Sequence, residues 1–253
     1  MSLKPSYHMK KILILIILLN TGAITPETVG KIKEVPILCY HNIFEKEGKP
    51  GPYYISAQLL EEQIKYFKEN GYVAVLPEDI YRSYIYGLPL PEKSVMFSFD
   101  DTRKDHYTLA APLLEKYGYK GAFFIMTVAI GKKNYMTKDE IRDLARRGHC
   151  IGNHTYDHQN LKKLPEDQWK KQVEEPKKKL EDIIGINVCY LAYPFGLCNE
   201  YAAEQLEKRG IYAAFQLSGK SIITDSPLFI RRLLVTGSLT SEKLAREIKG
   251  TFH

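Results

Sequence analysis

Ser94-Val95-Met96-Phe97-Ser98-Phe99 runs directly into Asp100-Asp101. The six residues before the acids are mostly apolar and show no regular polar–apolar alternation, the pattern of a strand covered on both faces. On either side, runs of the same kind recur at residues 35–40, 73–76, 122–126, 150–153, 188–193, 211–217 and 229–235. Helix-like segments lie between them. Residues 56–70 place Leu60, Ile64 and Phe67 on one face, and residues 137–147 open on a capping box made by Thr137 and Glu140. Further amphipathic stretches occupy 167–184, 200–209 and 241–249, and each of the five helical segments is expected to stop at a glycine: Gly71, Gly148, Gly185, Gly210 or Gly250. About eight strand–helix units in this order predict a parallel sheet wrapped in helices. The expected fold is α/β, a distorted (β/α)7-8 barrel in a single domain; an open doubly wound sheet is the alternative.

The chain has 253 residues, 44% hydrophobic and 26% charged, enough apolar surface for one α/β core and nothing like a disordered or fibrous composition. Its formal charge is +6, and Lys4, Lys10 and Lys11 carry half of it. No stripe of Lys and Arg interleaved with aromatics is present, which argues against a nucleic-acid partner. The run Lys177-Lys178-Lys179 sits among acids and reads as a solvated helix face. Lys10-Lys11 precede the apolar run from Ile12 to Leu19 and then Asn20-Thr21-Gly22-Ala23. Residues 1–30 are therefore expected to be a signal peptide or an N-terminal membrane anchor, with the domain at 31–253 secreted or held at the cell surface. The cysteines Cys39, Cys150, Cys189 and Cys198 contain no C-x-x-C pair, so they do not form a zinc pattern. The first three are expected as small buried hydrophobes, and a Cys189–Cys198 bridge is open in an oxidising compartment.

In a closed parallel sheet the functional groups gather where strands end. The run at 35–40 leads into His41-Asn42, and the run at 94–99 into Asp100-Asp101. The run at 150–153 leads into His154-Thr155-Tyr156-Asp157-His158, and Tyr193 leads into Pro194-Phe195-Gly196. The last run contains Arg231-Arg232. Two adjacent carboxylates at one strand mouth repel each other unless a cation is near. His154 and His158 can chelate one ion from a helix or a tight loop. Taken singly, the acids fit a turn or a cap, and the imidazoles fit packing. Taken together, one carboxylate and two imidazoles leave an open coordination position, as a catalytic ion requires, and the second carboxylate is free to act as a base.

Three of these segments carry a family resemblance. Phe99-Asp100-Asp101-Thr102 resembles the T-F-D-D-G motif of the polysaccharide deacetylases, the NodB-homology or carbohydrate esterase 4 family. His154-Thr155-Tyr156-Asp157-His158 matches that family's H-[ST]-x-x-H motif, and Ala192-Tyr193-Pro194-Phe195-Gly196 is similar to its R-x-P-[YF]-G motif. The resemblance covers roughly residues 35–240. It implies a (β/α)7-type barrel, one divalent metal ion (zinc, with cobalt or nickel as alternatives) and hydrolysis of acetyl groups on sugars. It further implies that Asp100 is the catalytic base and that Asp101, His154 and His158 are the metal ligands. The Phe195 backbone N–H would help hold the oxyanion, with Tyr193 and Pro194 on the same substrate-facing turn.

The chain departs from the family pattern at three places. Thr102 stands where the motif has Gly, which is tolerable if the backbone needs no positive φ there. Ala192 replaces an Arg that orients the base, and no L-x-H motif supplies a general acid near the C-terminus. Pro36-Ile37-Leu38-Cys39-Tyr40-His41 resembles the P-x-L-x-Y-H motif of the subgroup that deacetylates poly-β-1,6-N-acetylglucosamine, a circularly permuted group in which this early His serves as the acid. His41 is accordingly the expected general acid, and Arg231 or Arg232 the expected substitute for the missing Arg beside Asp100. Asp105 and His106 are expected on a surface turn, with a place lining the cleft as the alternative, His149 at a strand start away from the chemistry, and Tyr53 and Tyr54 either on sugar rings or in ordinary packing. The expected partner is an N-acetylglucosamine polysaccharide. Competing readings are a deacetylase acting on peptidoglycan, chitooligosaccharides or O-acetyl groups, a glycan-binding module without activity, and a metal-dependent phosphoesterase, for which the ligands are too few.

Overall fold

The computed structural model describes residues 34–45, 51–217 and 226–252. The expected signal or anchor lies outside the described residues. In chain order the elements are β1 (Ile37–Tyr40), β2 (Asn42–Phe44), β3 (Tyr54–Ser56), α1 (Ala57–Glu69), β4 (Val73–Ala74), α2 (Pro77–Tyr86), β5 (Ser94–Phe99), α3 (Ala111–Lys116) and β6 (Ala122–Ile125). They continue as α4 (Lys138–Arg146), β7 (Cys150–Asn153), α5 (Glu175–Ile184), β8 (Tyr190–Ala192), α6 (Glu200–Lys208), β9 (Ala213–Leu217), β10 (Ile230–Leu234) and α7 (Ser241–Phe252).

Seven strands close into a parallel ring in the order β1, β5, β6, β7, β8, β9, β10. Closure rests on β1, which pairs with β5 on one edge (Leu38 with Phe97, Tyr40 with Phe99) and with β10 on the other (Leu38 with Leu233). The open-sheet alternative is therefore excluded, and the barrel expectation holds. All six residues of β5 are buried, which explains why its sequence shows no alternation. One face of the strands packs Phe97 and Phe123 against Leu60, Ile64 and Phe67 of α1, Leu114 of α3 and Leu144 of α4. The other face carries Ile37, Met96, Phe124, Phe215 and Ile230. Side chains alternate along a strand, so Cys39, Ser98 and Arg232 share that second face with these residues. The fold falls within one compact unit, Ile32–His253.

Several expectations are corrected in detail. The run at 73–76 supplies only β4, which pairs with β5 at Val73–Ser94 outside the closed ring. Two helices, α2 and α3, join the five expected ones. The stretch at 167–184 is composite, with a wide turn at Lys170–Glu174 feeding α5, and Gly185 (φ 77°) ends it as expected. Gly250 does not end the last helix: α7 continues to Phe252, which is buried, and Thr251 accepts a hydrogen bond from Arg231 at 2.8 Å. The lysine run is only partly solvated, because Lys179 donates to the Thr127 carbonyl at 3.0 Å. All four cysteines are free, so Cys189 and Cys198 are not bridged. Among the described residues no helix is long and apolar enough to cross a membrane.

Candidate active site

The ends of β1, β5, β7 and β8 converge at one mouth of the barrel around a cleft of about 500 Å³ lined by His41, Asp100, Asp101, His154, His158 and Phe195, among others. The two adjacent aspartates have different surroundings. Asp100 is buried and takes both arms of the Arg232 guanidinium, Nη1 to Oδ1 at 2.8 Å and Nη2 to Oδ2 at 2.7 Å. Arg232 also donates to Ser98 Oγ at 3.2 Å, and the Cys39 thiol donates to Asp100 Oδ2 at 3.5 Å. Burial alone would raise the Asp100 pKa. The Arg232 charge, with help from His154, reverses that and holds the carboxyl well below the usual range. Of the two arginines, Arg232 takes the place beside Asp100. Arg231 points the other way, pairing with Glu34 and Thr251, because neighbours on a strand face opposite sides.

Asp101 turns instead towards the imidazoles. Its Oδ1 lies 3.5 Å from His154 Nε2 and 3.7 Å from His158 Nε2. A tetrahedral ion bound at about 2.0–2.1 Å separates its ligand atoms by about 3.4 Å, so the spacing suits such an ion. His154 Nδ1 lies 2.8 Å from the Ala192 carbonyl oxygen, which can only accept. Nδ1 therefore carries the hydrogen and the Nε2 lone pair faces Asp101, the arrangement a ligating histidine needs. Ala192 contributes its carbonyl to the site although its side chain has none of the family's usual function.

His41 stands at the end of β1, 9% exposed, with a buried Nδ1 that has no hydrogen-bond partner in the protein. Burial pushes its imidazole below the usual pKa, opposed by the nearby Asp100 and Asp101 charges. The Tyr53 ring meets it edge-on at 5.1 Å. His106, expected on a surface turn, is fully buried and bonds through Nε2 to the His41 carbonyl. Asp105 is largely covered as well, and burial raises its carboxyl. His149 is buried at the foot of β7, on Glu115 and Gly121, away from the cleft as expected. Of the substrate-side turn, Phe195 is 59% exposed and packs edge-on against His158 at 4.4 Å, Pro194 is buried, and the Tyr193 hydroxyl is committed to the Leu228 carbonyl at 3.0 Å. Tyr53 and Tyr54, both partly exposed, line the same cleft.

The backbone marks the same place. Among the described residues six non-glycine positions have positive φ, and five of them (Asp101, Thr102, Thr155, His158 and Phe195) belong to the three site loops. Each such residue costs about 1–3 kcal/mol and persists only where its surroundings fix it, a pattern found at functional sites. Thr102, at φ 63°, is among them, so the position does need the left-handed backbone that the motif's Gly would supply freely. The substitution is accommodated by hydrogen bonding: Thr102 Oγ1 accepts from the Met126 N–H at 2.7 Å and donates to the Met126 carbonyl at 3.2 Å. Sequence reasoning missed this bridge, the Cys39 contact and the His106 contact. For Arg232, the alternation with Ile230 along β10 was a usable signal.

The closed parallel barrel thus presents one carboxylate clamped by Arg beside a second that faces two imidazoles, a donor set that could hold a metal ion. The polysaccharide deacetylase family model matches residues 87–214, just over half of the chain, and the protein belongs to that family. Among its relatives, YxkH of Bacillus subtilis, named for the same family, is 30% identical over 180 residues, covering 71% of this chain and 63% of its own length. A poly-β-1,6-N-acetyl-D-glucosamine N-deacetylase of Staphylococcus aureus is 28% identical over 200 residues, covering 73% of this chain and 68% of the relative. The matched part thus falls short of two thirds of the first relative's length. The Streptococcus pyogenes deacetylase PplD, solved in complex with acetate, shares the fold with a TM-score of 0.76 at 22% identity, over 87% of this chain and 98% of that one.

Proposed function

We propose that the protein removes N-acetyl groups from an N-acetylglucosamine polymer, most specifically poly-β-1,6-N-acetylglucosamine, outside the cytoplasmic membrane. One observation carries the reading: Asp101 shares a 3.5–3.7 Å contact zone with two imidazole Nε2 atoms, while Asp100 beside it is held apart by Arg232. A site that only bound glycan would need no ionised carboxylate locked next to an open ligand set. The relative from Staphylococcus aureus supports the β-1,6 polymer, and the exposed rings of Tyr53, Tyr54 and Phe195 around the cleft suit the apolar faces of sugars. The leader-like N-terminus supports the location.

In this reading Asp101, His154 and His158 would hold one divalent ion, a zinc, cobalt or nickel. Bound there, such an ion would supply Lewis acidity, which lowers the pKa of water towards about 7 and draws charge from the acetyl carbonyl. Asp100, kept anionic and fixed in orientation by Arg232, accepts the proton of the attacking water. The Phe195 N–H, presented by a turn with φ 60°, donates to the oxyanion that forms as the carbonyl becomes tetrahedral. His41 donates a proton to the departing sugar nitrogen, so the C–N bond breaks to release acetate and a free amine.

The test is acetate release by the purified protein from β-1,6-linked N-acetylglucosamine oligomers and, in parallel, from β-1,4-linked ones. Faster release from the β-1,6 series is expected. Release confined to the β-1,4 series would overturn the polymer assignment, and no release from either would overturn the N-deacetylase reading.

A further inference from the structure

We propose that Thr102 is a positioning residue that sets Asp101 against the two histidines by hydroxyl bonding across to the end of β6. The inference rests on the metal reading above and concerns how the ligand set is held.

The paired register of β5 and β6 relates Ser98 to Ala122 and Phe99 to Phe123. Carried forward at the same offset, Thr102 stands opposite Met126, but Asp101 (φ 78°) and Thr102 (φ 63°) have turned the chain left-handed and left the ladder. The Thr102 hydroxyl takes over what the ladder would have supplied. It accepts from the Met126 N–H at 2.7 Å and donates to the Met126 carbonyl at 3.2 Å, while the Thr102 carbonyl accepts from the Met136 N–H at 3.0 Å. Thr102 is fully buried, so water does not compete for these bonds.

The far side of the same short segment holds the histidine loop. The His154 N–H donates to the Ile125 carbonyl at 2.9 Å, the Thr127 N–H to the Thr155 carbonyl at 3.1 Å and the Val128 N–H to the Tyr156 carbonyl at 2.9 Å. Lys179 adds a bond to the Thr127 carbonyl. Residues 125–128 carry no ligand themselves, yet they are the strut between the Asp101 loop and the His154–His158 loop. Thr102 is the side chain that fastens Asp101 to it. A glycine at this position would adopt the same backbone but could not make the bridge, so the threonine exchanges conformational ease for a fixed ligand distance.

The experiment measures Co²⁺ affinity of the purified protein by competition with a chelating dye, together with the visible absorption of the Co²⁺ form, for the wild type, Thr102→Ser, Thr102→Val and Thr102→Gly. Thr102→Ser keeps the hydroxyl and is expected to bind within about threefold of wild type. Thr102→Val keeps the shape without the bridge and is expected to bind about tenfold or more weakly, with an altered cobalt spectrum, as loss of groups that orient ligands typically does. Thr102→Gly removes bridge and strain together, so it decides the matter if the valine variant does not fold. A folded Val or Gly variant that binds Co²⁺ within about twofold of wild type, with the same spectrum, would overturn the proposal. Wild type that binds no Co²⁺ would bring down the metal reading, and the positioning role with it.

Discussion

Replacing Arg232 by Met should destabilise the protein far more than loss of one long side chain would suggest. The guanidinium makes two charge-assisted bonds to Asp100, at 2.8 and 2.7 Å, with both groups buried. Hydrogen bonds to charged groups contribute about 1.5–3 kcal/mol each, and breaking a buried pair from one side costs about 3–5 kcal/mol because the other charge is left uncompensated. Arg232→Met is therefore expected to lose about 3–5 kcal/mol, and Asp100→Asn a comparable amount. The double variant should lose clearly less than the sum, by a coupling of about 2 kcal/mol or more, since neither charge is then stranded. Urea denaturation of all four proteins in excess chelator measures this without a contribution from bound ion. An Arg232→Met variant within about 1 kcal/mol of wild type, or additivity within about 0.5 kcal/mol, would refute the reasoning. In the same set, Asp100→Asn should keep its metal affinity while turnover nearly vanishes. Equal loss of metal would mean the two aspartates have been assigned the wrong way round.

Two further outcomes are expected. His41→Ala should lower kcat by about 10²–10⁴-fold with KM little changed, as loss of a general acid does; near-normal turnover would place the acid elsewhere. Stability should also fall in mild acid because of His149. Its Nδ1 accepts from the Gly121 N–H at 3.1 Å, so the buried ring is neutral with its hydrogen on Nε2 towards Glu115, and burial pushes its pKa from 6.5 down to about 4. A folded pKa below the unfolded one gives stability that is complete above about pH 6.5 and is lost as pH falls towards about 4, at most about 3 kcal/mol. Urea midpoints between pH 7.5 and 4.5 should drop less steeply for His149→Asn, which keeps an acceptor for Gly121 but does not titrate; an unchanged slope would count against this origin.

Much of the fold was legible because a parallel barrel writes itself as unbroken apolar runs, and β5 with its six buried residues is the clearest of them. The site was legible for the same reason: strand ends announce which residues meet, and His41, Asp100, Asp101 and His154 follow directly on such ends, with Phe195 on the turn just beyond another. What escaped depends on geometry that composition does not encode. Val73 and Ala74 look like any other strand, and only their pairing shows that they flank the ring. Pro77 at the first helical position with Asp79 bonded back to Leu76 was a readable start for α2, whereas α3 emerges from a wide turn and leaves little pattern. Gly250 has the sequence signature of a stop, yet Phe252 has a buried seat beyond it, and packing outweighs the modest cost of an interior glycine. Thr102 looked like a tolerated lapse from glycine; its hydroxyl bonds become visible only once β6 is beside it.

The most direct measurement of the central claim is reconstitution. Purified protein is stripped of metal by chelator and titrated with Zn²⁺ or Co²⁺ while acetate release from an N-acetylglucosamine oligomer is followed, alongside His158→Ala. Activity is expected to vanish on stripping, to return in full at one equivalent per chain, and to stay absent in the variant at that equivalence. Acetate release that survives stripping, or that returns equally well in His158→Ala, would contradict an ion held by Asp101, His154 and His158.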